Sequence, residues 1–416
     1  MEVATFTPSL LWILPFASLL LAIAVIPLAA PHFWASNVRK LAVSLVLGLP
    51  VLWLYSQHQP EAIGRAFEDY LSFMILLGSL FVISGGVHMD GDLEATPAVN
   101  TMFLAIGALV ASVIGTTGAS MLLIRPLLHT NSERRNVVHT VVFFIFLVSN
   151  IGGCLTPLGD PPLFLGYLQG VPFTWTLRLA PEWLFTTVTL LVIYFVWDTR
   201  AHAAEPPERI ARDRADRTPI TIHGHENLFW LAGVVVSAAF LGAPWREVTM
   251  VALSVVSYVR TSKSIHDGNH FSLHPIIEVA VIFAGIFATM IPALDILRHH
   301  GAALGVNQPW HFFWATGALS SFLDNAPTYL TFLALAQGLG LQPDVAGVSH
   351  RVLSAISLGA VFMGANSYIG NGPNFMVRSI AEARGVRMPS FGGYLAYSGA
   401  ILVPVFVLVT FVFFRP

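Results

Sequence analysis

The segments SNIGGCLTPLGDPPLFLG (149–166) and GANSYIGNGPNFMV (364–377) decide the architecture of this chain. Each places glycine, asparagine and proline inside a long apolar stretch, where these residues interrupt a helix and leave backbone N–H and C=O groups unpaired. We call these two segments the first break and the second break. Lipid cannot form hydrogen bonds with their unpaired groups, so both breaks must face protein or a water-filled cavity. Paired breaks at corresponding places in two halves are typical of a transporter's substrate site.

The composition indicates a membrane protein. Of the 416 residues, 55% are hydrophobic and 11% are charged, whereas soluble proteins carry about 25% charged residues; the mean hydropathy is +0.70. A net charge of −2 without a long basic block gives no indication of a nucleic-acid partner. The single cysteine, Cys154, excludes an intramolecular disulfide bond. We therefore predict an all-α polytopic membrane protein with the lipid bilayer as a partner.

Apolar runs long enough to cross a bilayer recur along the chain. They fall at 8–30, 41–56, 70–88, 137–168 and 182–197, and then at 227–243, 245–260, 273–292, 350–380 and 392–414. No basic residue precedes the run at 8–30, so we interpret it as the first transmembrane helix, the alternative being a cleaved signal peptide. The two breaks lie inside the runs 137–168 and 350–380, which are therefore predicted to be broken helices.

Two further apolar segments, about 101–128 and 311–336, are too long for one helix. Small or polar residues stand at their centres, GTTGAS at 115–120 and LDNAPT at 323–328. We predict that both are re-entrant hairpins, which enter and leave the membrane on the same side. The alternative is that the two segments are two more ordinary spans.

The distribution of charge predicts the orientation. We divide the chain into a first repeat (1–197), a polar linker (198–226) and a second repeat (227–416). With about five spans and one hairpin per repeat, the side holding the linker carries 14 of the 21 Lys and Arg residues, and the other side carries 6. Positively charged loops stay in the cytoplasm, so we predict a cytoplasmic linker and both the N- and C-termini outside.

Short internal similarities relate the two repeats. GALVAS (107–112) matches GALSSF (317–322) at an offset of 210 residues, and LGDPP (158–162) matches IGNGP (369–373) at an offset of 211. An odd number of spans per repeat places the two copies in opposite orientations, as in many secondary transporters. The sequence therefore predicts inverted repeats with the broken helices at their interface.

Asp160 in the first break is the leading candidate for chemistry. A carboxylate at membrane depth is costly and marks a functional site by default. When ionised it is a hard oxygen ligand for Na⁺, and when protonated it is neutral, so one residue can exchange a proton for a cation. Asn150, Thr156 and freed backbone carbonyls are candidates to complete the oxygen shell. The alternative is that Asp160 only caps the helix that follows.

The tip of the second hairpin supplies the other candidates. Asp324 is predicted to be a second coordinating or proton-carrying carboxylate, beside Asn325 and Thr328. Ordinary turn chemistry is the alternative for an Asp-Asn-x-Pro sequence. The predicted sodium site comprises Asn150, Asp160, Asp324 and Asn325. The tip of the first hairpin offers only hydroxyl groups, from Thr116, Thr117 and Ser120.

The second break contributes neutral groups, and two further charges stand in apolar surroundings. The neutral side chains, suited to a cation or to a carboxylate solute, belong to Asn366, Ser367, Asn371 and Asn374.

Arg125, in the first hairpin, either pairs with a buried carboxylate, reaches the membrane surface or binds an anionic substrate. Glu278 is its candidate ion-pair partner or a proton relay, or lies near the membrane surface.

No motif indicates an enzyme. HExxH, CxxC and Walker sequences are missing, as is a convincing Ser/His or paired-Asp motif within the spans, so the sequence supports neither a metalloenzyme, an ATP-driven pump nor an intramembrane protease. We predict no cofactor apart from the coupling ions Na⁺ and H⁺.

The motifs resemble those of a known family. NIGGCLTPLGDPP (150–162) is similar to the NIGG…TPxGD signature of NhaD-type sodium/proton antiporters in the ion transporter superfamily, and GALSSFLDNAPTYLTFLALA (317–336) is similar to their second hairpin. The superfamily also contains ArsB-like arsenite pumps and citrate or dicarboxylate carriers. The resemblance implies a homodimer with a scaffold domain and a mobile transport domain, in the bacterial cytoplasmic (inner) membrane.

One departure from the antiporter pattern concerns the ion. Pro161 and Pro162 follow Asp160, where the antiporters usually carry hydroxyl residues, so two potential Na⁺ ligands are missing. Our favoured hypothesis is a sodium/proton antiporter that works by alternating access. The alternative is a Na⁺- or H⁺-coupled citrate or dicarboxylate transporter, in which Asn366, Asn371, Asn374 and the hairpin tips hold the carboxylates.

Overall fold

A computed structural model describes residues 6–340 and 343–415. The helices up to the linker are α1 (Leu14–Ala29), α2 (Pro31–Trp34), α3 (Asn37–His58), α4 (Pro60–Ser84), α5 (Pro97–Ile114), α6 (Thr116–Thr130), α7 (Val138–Leu147), α8 (Pro161–Leu168), α9 (Ala180–Ala203) and α10 (Pro207–Ala215). Those that follow are α11 (Glu226–Phe240), α12 (Trp245–Arg260), α13 (Lys263–Gly268), α14 (His274–His300), α15 (Pro309–Ser320), α16 (Asn325–Leu339), α17 (His350–Met363), α18 (Gly372–Ala383) and α19 (Phe391–Phe413).

Eight helical segments among the described residues are long and apolar enough to cross a membrane. The prediction of an all-α polytopic membrane protein is therefore confirmed. The predicted runs at 227–243, 245–260 and 350–380 are not among the eight. Helices α11 and α12 have 15 and 16 residues, fewer than the about 20 that a straight span needs, and the second break divides the third run.

A two-stranded antiparallel sheet, which was not predicted from the sequence, attaches the linker to the loop before α5. It consists of β1 (His88–Asp92) and β2 (Thr218–His223), with His88 opposite His223. The strands pass so close at Gly91 (φ +133°) that a Cβ atom there would lie 2.7 Å from the Cα atom of Ile220. Linker and first repeat are thus joined by backbone pairing.

The segment predicted as the first hairpin forms α5 and α6, which meet at Gly115. Asn100 near the start of α5 and Asn131 just after α6 exchange two side-chain hydrogen bonds of 2.9 Å. In the second segment, Phe312 of α15 packs edge-on against Phe332 of α16 with ring centroids 6.5 Å apart. Each segment therefore has its two ends side by side. Their assignment to inverted repeats on opposite sides of a membrane stays a prediction.

The hydrophobic core surrounds the two broken helices. From His139 to Leu147 every residue of α7 is buried, and from Val352 to Met363 every residue of α17 is buried. Burial on every face shows that other segments of the chain, and not lipid, surround these two helices. The outer helices instead expose large apolar side chains, such as Trp53, Val259 and Val412, as expected of surfaces that face lipid. Both breaks are therefore enclosed by protein, which supplies partners for their backbone groups.

Candidate ion-binding site at the two breaks

The first break is a short irregular segment between α7 and α8. A single 3₁₀ turn, Ile151–Leu155, occupies its middle, and α8 then begins at Pro161. The chain folds back so tightly that a Cβ atom on Gly159 would lie 2.2 Å from the carbonyl oxygen of Gly153. Glycine is required at this crossing because any side chain would collide with backbone.

The second break repeats this arrangement. A 3₁₀ turn, Gly364–Asn366, follows α17. A Cβ atom on Gly370 would lie 2.6 Å from the carbonyl oxygen of Gly364, the same crossing 211 residues later. The hydroxyl of Ser367 donates to the carbonyl of Ser321. In the first break the hydroxyl of Thr156 donates in the same way to the carbonyl of Ser112. The two breaks therefore share one backbone design.

Asp160 lies at the centre of the site, with a side chain 1% exposed. Its Oδ1 accepts hydrogen bonds from Thr116 Oγ1 at 2.9 Å and from Asn371 Nδ2 at 3.1 Å, and its Oδ2 accepts from Asn325 Nδ2 at 2.6 Å. Asp160 occupies the N-cap position of α8, but its side chain makes no capping hydrogen bond. The carboxylate instead connects the first hairpin, the second hairpin and the second break.

Asp324 has a different local role. Its Oδ1 accepts a hydrogen bond from the backbone N–H of Ala326 at 3.1 Å, which caps α16. Thr328 Oγ1 donates to the backbone carbonyl of Asp324 at 2.8 Å. These contacts are the turn chemistry that was the alternative for this motif. Only its neighbour Asn325 reaches Asp160.

Asparagines connect the two breaks directly. Asn150 Nδ2 in the first break donates to Asn374 Oδ1 at 2.7 Å. Asn374 Nδ2 in turn donates to two carbonyls of its own break, those of Gly364 and Ser367, at 2.9 and 2.8 Å. Asn371 Nδ2 also donates to the carbonyl of Ser149 at 3.2 Å. Residues more than 200 positions apart are thereby held in one buried network.

The other predicted residues lie around this network. Asn366 Nδ2 donates to Ser321 Oγ at 2.9 Å, so Asn366 and Ser367 both bind the end of α15. Thr116, a direct partner of Asp160, was noted in the sequence only as a hydroxyl at the hairpin tip. When the two hairpins are aligned by their offset of 210 residues, Gly115 is the counterpart of Asn325, and Thr116 is the residue after it.

The two isolated charges are not partners of each other. Glu278 Oε1 lies 2.6 Å from Nζ of Lys40, because α14 packs along α3. The suggested pairing of Arg125 with Glu278 is therefore wrong. Arg125 is half-buried in α6 and forms no hydrogen bond or ion pair with any described residue.

Several amide oxygens of the second hairpin and the two breaks lack partners. Oδ1 of Asn150, of Asn325 and of Asn366 is buried without a hydrogen-bond donor among the described residues. Leaving such an acceptor unpaired costs about 1–3 kcal/mol. A cavity of about 40 Å³, lined by α4, the tip of the first hairpin and the first break, reaches Asp160. Among the polar side chains of the site, Asp160 and Thr116 line this cavity, and the three asparagines do not. Carboxylate, hydroxyl and amide oxygens are the donors that a hard cation prefers.

Comparison with known proteins gives the family. A family model described as "Putative citrate transport" matches residues 5–414. No curated protein matches the chain. Because the match covers nearly all of the sequence, the protein belongs to this family, within the ion transporter superfamily, and is a multi-pass membrane protein and a secondary transporter.

Proposed function

We propose that the protein is a sodium/proton antiporter that works by alternating access, with Asp160 binding Na⁺ and H⁺ in turn. The observation that carries this proposal is the environment of Asp160. The carboxylate is 1% exposed and its three side-chain partners are all neutral, without a basic residue among its described contacts. A buried carboxylate without a compensating charge must take up a proton or a cation.

The neighbouring amides are suited to a cation. Asn325 now donates its Nδ2 to Asp160, while its Oδ1 has no donor among the described residues. Rotating that amide by half a turn would present the oxygen to the space beside the carboxylate. Asn150 offers a second unpaired amide oxygen. Asp324 takes a supporting part in the proposal, as a nearby second carboxylate that carries a proton.

The size of the cavity favours a small ion. One water molecule needs about 10–15 Å³, so a cavity of about 40 Å³ admits a partly hydrated Na⁺. Pockets for larger organic ligands measure about 300–1,000 Å³. The conformation described here therefore suits a cation better than a tricarboxylate.

A Na⁺- or H⁺-coupled citrate or dicarboxylate transporter is the second candidate. The family description and the prolines after Asp160 favour it. In that mechanism Asp160 would hold the coupling cation. The neutral side chains of the second break, Asn366, Asn371 and Asn374, would hold carboxylates after a conformational change opens the site.

Transport in everted membrane vesicles distinguishes the two functions. In respiring vesicles we expect Na⁺ or Li⁺ to collapse the pH gradient, and we expect the Asp160→Asn variant to abolish that response. Asp267→Asn is the matched control, because Asp267 is exposed on α13, away from the site. No response to either ion, combined with gradient-driven uptake of labelled citrate, would overturn the antiporter in favour of the second candidate.

Orientation and assembly belong to the same proposal. We propose a homodimer in the bacterial inner membrane with both termini outside and the linker inside. Single cysteines introduced at Thr7 and Arg212 should be labelled from opposite sides of intact cells and everted vesicles. The native Cys154 is buried and should not interfere. Labelling of both positions from the same side would contradict this orientation.

A further inference from the structure

A cleft of about 410 Å³ opens on the face of the molecule that carries the linker. The end of α6, the loop before α7 and the end of α18 form its walls, so both halves of the chain contribute. Its basic lining residues are His129, Arg134, Arg135, Arg384 and Arg387, and no Asp or Glu belongs to the described lining. The cleft is therefore a concentrated patch of positive charge.

Three of the four arginines that line the cleft have no ion-pair partner among the described residues. The side chains of Arg135, Arg384 and Arg387 are exposed and form no ion pair or hydrogen bond within the described parts of the chain. Like charges gathered without counterions destabilise a fold. An anion in the cleft would remove this repulsion.

Arg134 is a positive charge fixed in the wall of the cleft. It is 7% exposed and is held by Asp198, whose Oδ2 lies 3.0 Å from Arg134 Nη1. The other oxygen of Asp198 accepts from His139 at 2.7 Å, so this carboxylate is fully engaged. Arg134 Nε is nevertheless buried without an acceptor among the described residues. Arg134 is thus a charge of the cleft wall that Asp198 holds in place and that carries unpaired N–H groups on its buried side.

We propose that this cleft binds an oxyanion with two or more negative charges, a phosphate or a polycarboxylate. Guanidinium groups bind carboxylate and phosphate through paired hydrogen bonds, and several of them around one cavity select multiply charged anions. The volume suits a small polyanion or a lipid headgroup. Because α6 and α18 come from different halves, the anion would join them at a place remote from Asp160. The proposal does not depend on the transported ion.

Two kinds of molecule carry such an oxyanion, namely soluble anions and anionic lipids. Exposed Arg384 and Arg387 make the cleft accessible to soluble anions. Basic pockets near a membrane surface also hold anionic lipid headgroups. The experiment therefore needs one arm for each source.

In the first arm, purified protein in nanodiscs of phosphatidylcholine is titrated with inorganic phosphate and with citrate, as Tris salts without Na⁺, by calorimetry. We expect saturable binding that weakens about tenfold or more in the double variant Arg384→Gln/Arg387→Gln, since charge-assisted hydrogen bonds are lost. The matched control, Arg212→Gln/Arg260→Gln, removes two exposed arginines elsewhere and should bind as the wild type does.

In the second arm, protein reconstituted with a mixture of phosphatidylcholine and phosphatidylglycerol is examined by native mass spectrometry. Retention of phosphatidylglycerol that is lost in the Arg384/Arg387 variant, but not in the control, identifies a lipid headgroup as the anion. Melting temperatures confirm that both variants are folded. The proposal is overturned if neither source gives binding that depends on Arg384 and Arg387, or if the control variant loses as much.

Discussion

The first and second breaks have the same backbone and different chemistry. Each crosses itself at a glycine pair, Gly153 with Gly159 and Gly364 with Gly370. At the next position the first break carries Asp160, whereas the second carries Asn371. In the hairpins the second repeat carries the carboxylate, because Asp324 caps α16 at the second tip, whereas Gly115 and Thr116 form the first tip. A symmetric scaffold thus supports a site with one central carboxylate.

This asymmetry has a physical advantage. Two carboxylates at Asp160 and at the position of Asn371 would face each other at hydrogen-bond distance and could not both ionise. The amide of Asn371 instead donates to Asp160 at 3.1 Å. A single titratable group therefore remains at the point where the breaks meet. One carboxylate at this point is sufficient for a proton and a monovalent cation to compete for the same group.

The largest expected effect comes from making the two breaks chemically equal. Asp160→Asn replaces the carboxylate by a neutral amide of the same shape, which neither ionises nor carries a proton. We expect transport to fall by about 100-fold or more, because the charge that binds the cation is lost. Transport in vesicles measures this, with membrane abundance and melting temperature unchanged. Retained transport would show that Asp160 is structural.

Exchanging the two side chains sharpens the same test. The double variant Asp160→Asn/Asn371→Asp keeps one carboxylate but moves it to the second break. We expect no recovery of transport, because the side chain at position 371 faces the carbonyl of Ser149, an acceptor that repels a carboxylate. Recovery would mean that the two positions are equivalent and that the surroundings add no selectivity.

The next prediction tests what the breaks share. Gly159→Ala and Gly370→Ala should each destabilise the protein by about 3 kcal/mol, since the added methyl group meets backbone oxygen at 2.2 or 2.6 Å. Gly372→Ala is the control, because nothing lies within 4 Å of its added atom. Melting temperature in detergent reports the effect. If Gly370→Ala leaves the melting temperature unchanged, the backbone of the second break is less tightly packed than that of the first break.

A smaller effect is expected where the breaks are connected to each other. Asn374→Leu should destabilise the protein by about 2 kcal/mol, because the carbonyls of Gly364 and Ser367 lose their side-chain donor and Asn150 loses an acceptor. Leucine is the residue at the equivalent place in the first break, Leu163. Thermal unfolding measures the change. An unaltered melting temperature would mean that the network contributes nothing to stability.

Much of this architecture follows from local composition, because glycine, proline and apolar runs act on the segment that contains them. The breaks, most spans and the candidate Asp160 were accessible in this way. The contact of Thr116 with Asp160 and the pair Lys40–Glu278 were not, because they join segments 44 and 238 residues apart. Such pairings depend on helix packing, which no local pattern encodes.

Asp324 illustrates the limit of local reasoning within a single motif. The sequence is compatible with both a buried ligand and a helix cap, since aspartate performs either task. Only the position of the Ala326 N–H group relative to the carboxylate shows that the side chain caps α16. The strands β1 and β2 were missed for a related reason, because each is short and they pair across more than 100 residues.

The smallest expected effect concerns the linker, which binds the first half of the chain through β2 and α10. Asp213 in α10 accepts the backbone N–H of Ala95, just before α5, at 2.9 Å. Burial, together with the charges of Glu133, Asp92 and Glu94, raises the pKa of Asp213 from 3.8 to about 6, and the Ala95 hydrogen bond opposes this only in part.

The sign of the resulting pH dependence follows from proton binding. Between about pH 4 and pH 6 the folded state holds a proton on Asp213 that the unfolded chain has released, so stability falls as the pH rises through this window. Asp213→Asn should remove that slope and raise stability at pH 7 by about 1 kcal/mol. Melting temperatures of both proteins from pH 4 to 8 measure the difference. A variant that loses stability equally at every pH would show that the Ala95 hydrogen bond, rather than the buried charge, dominates at this junction.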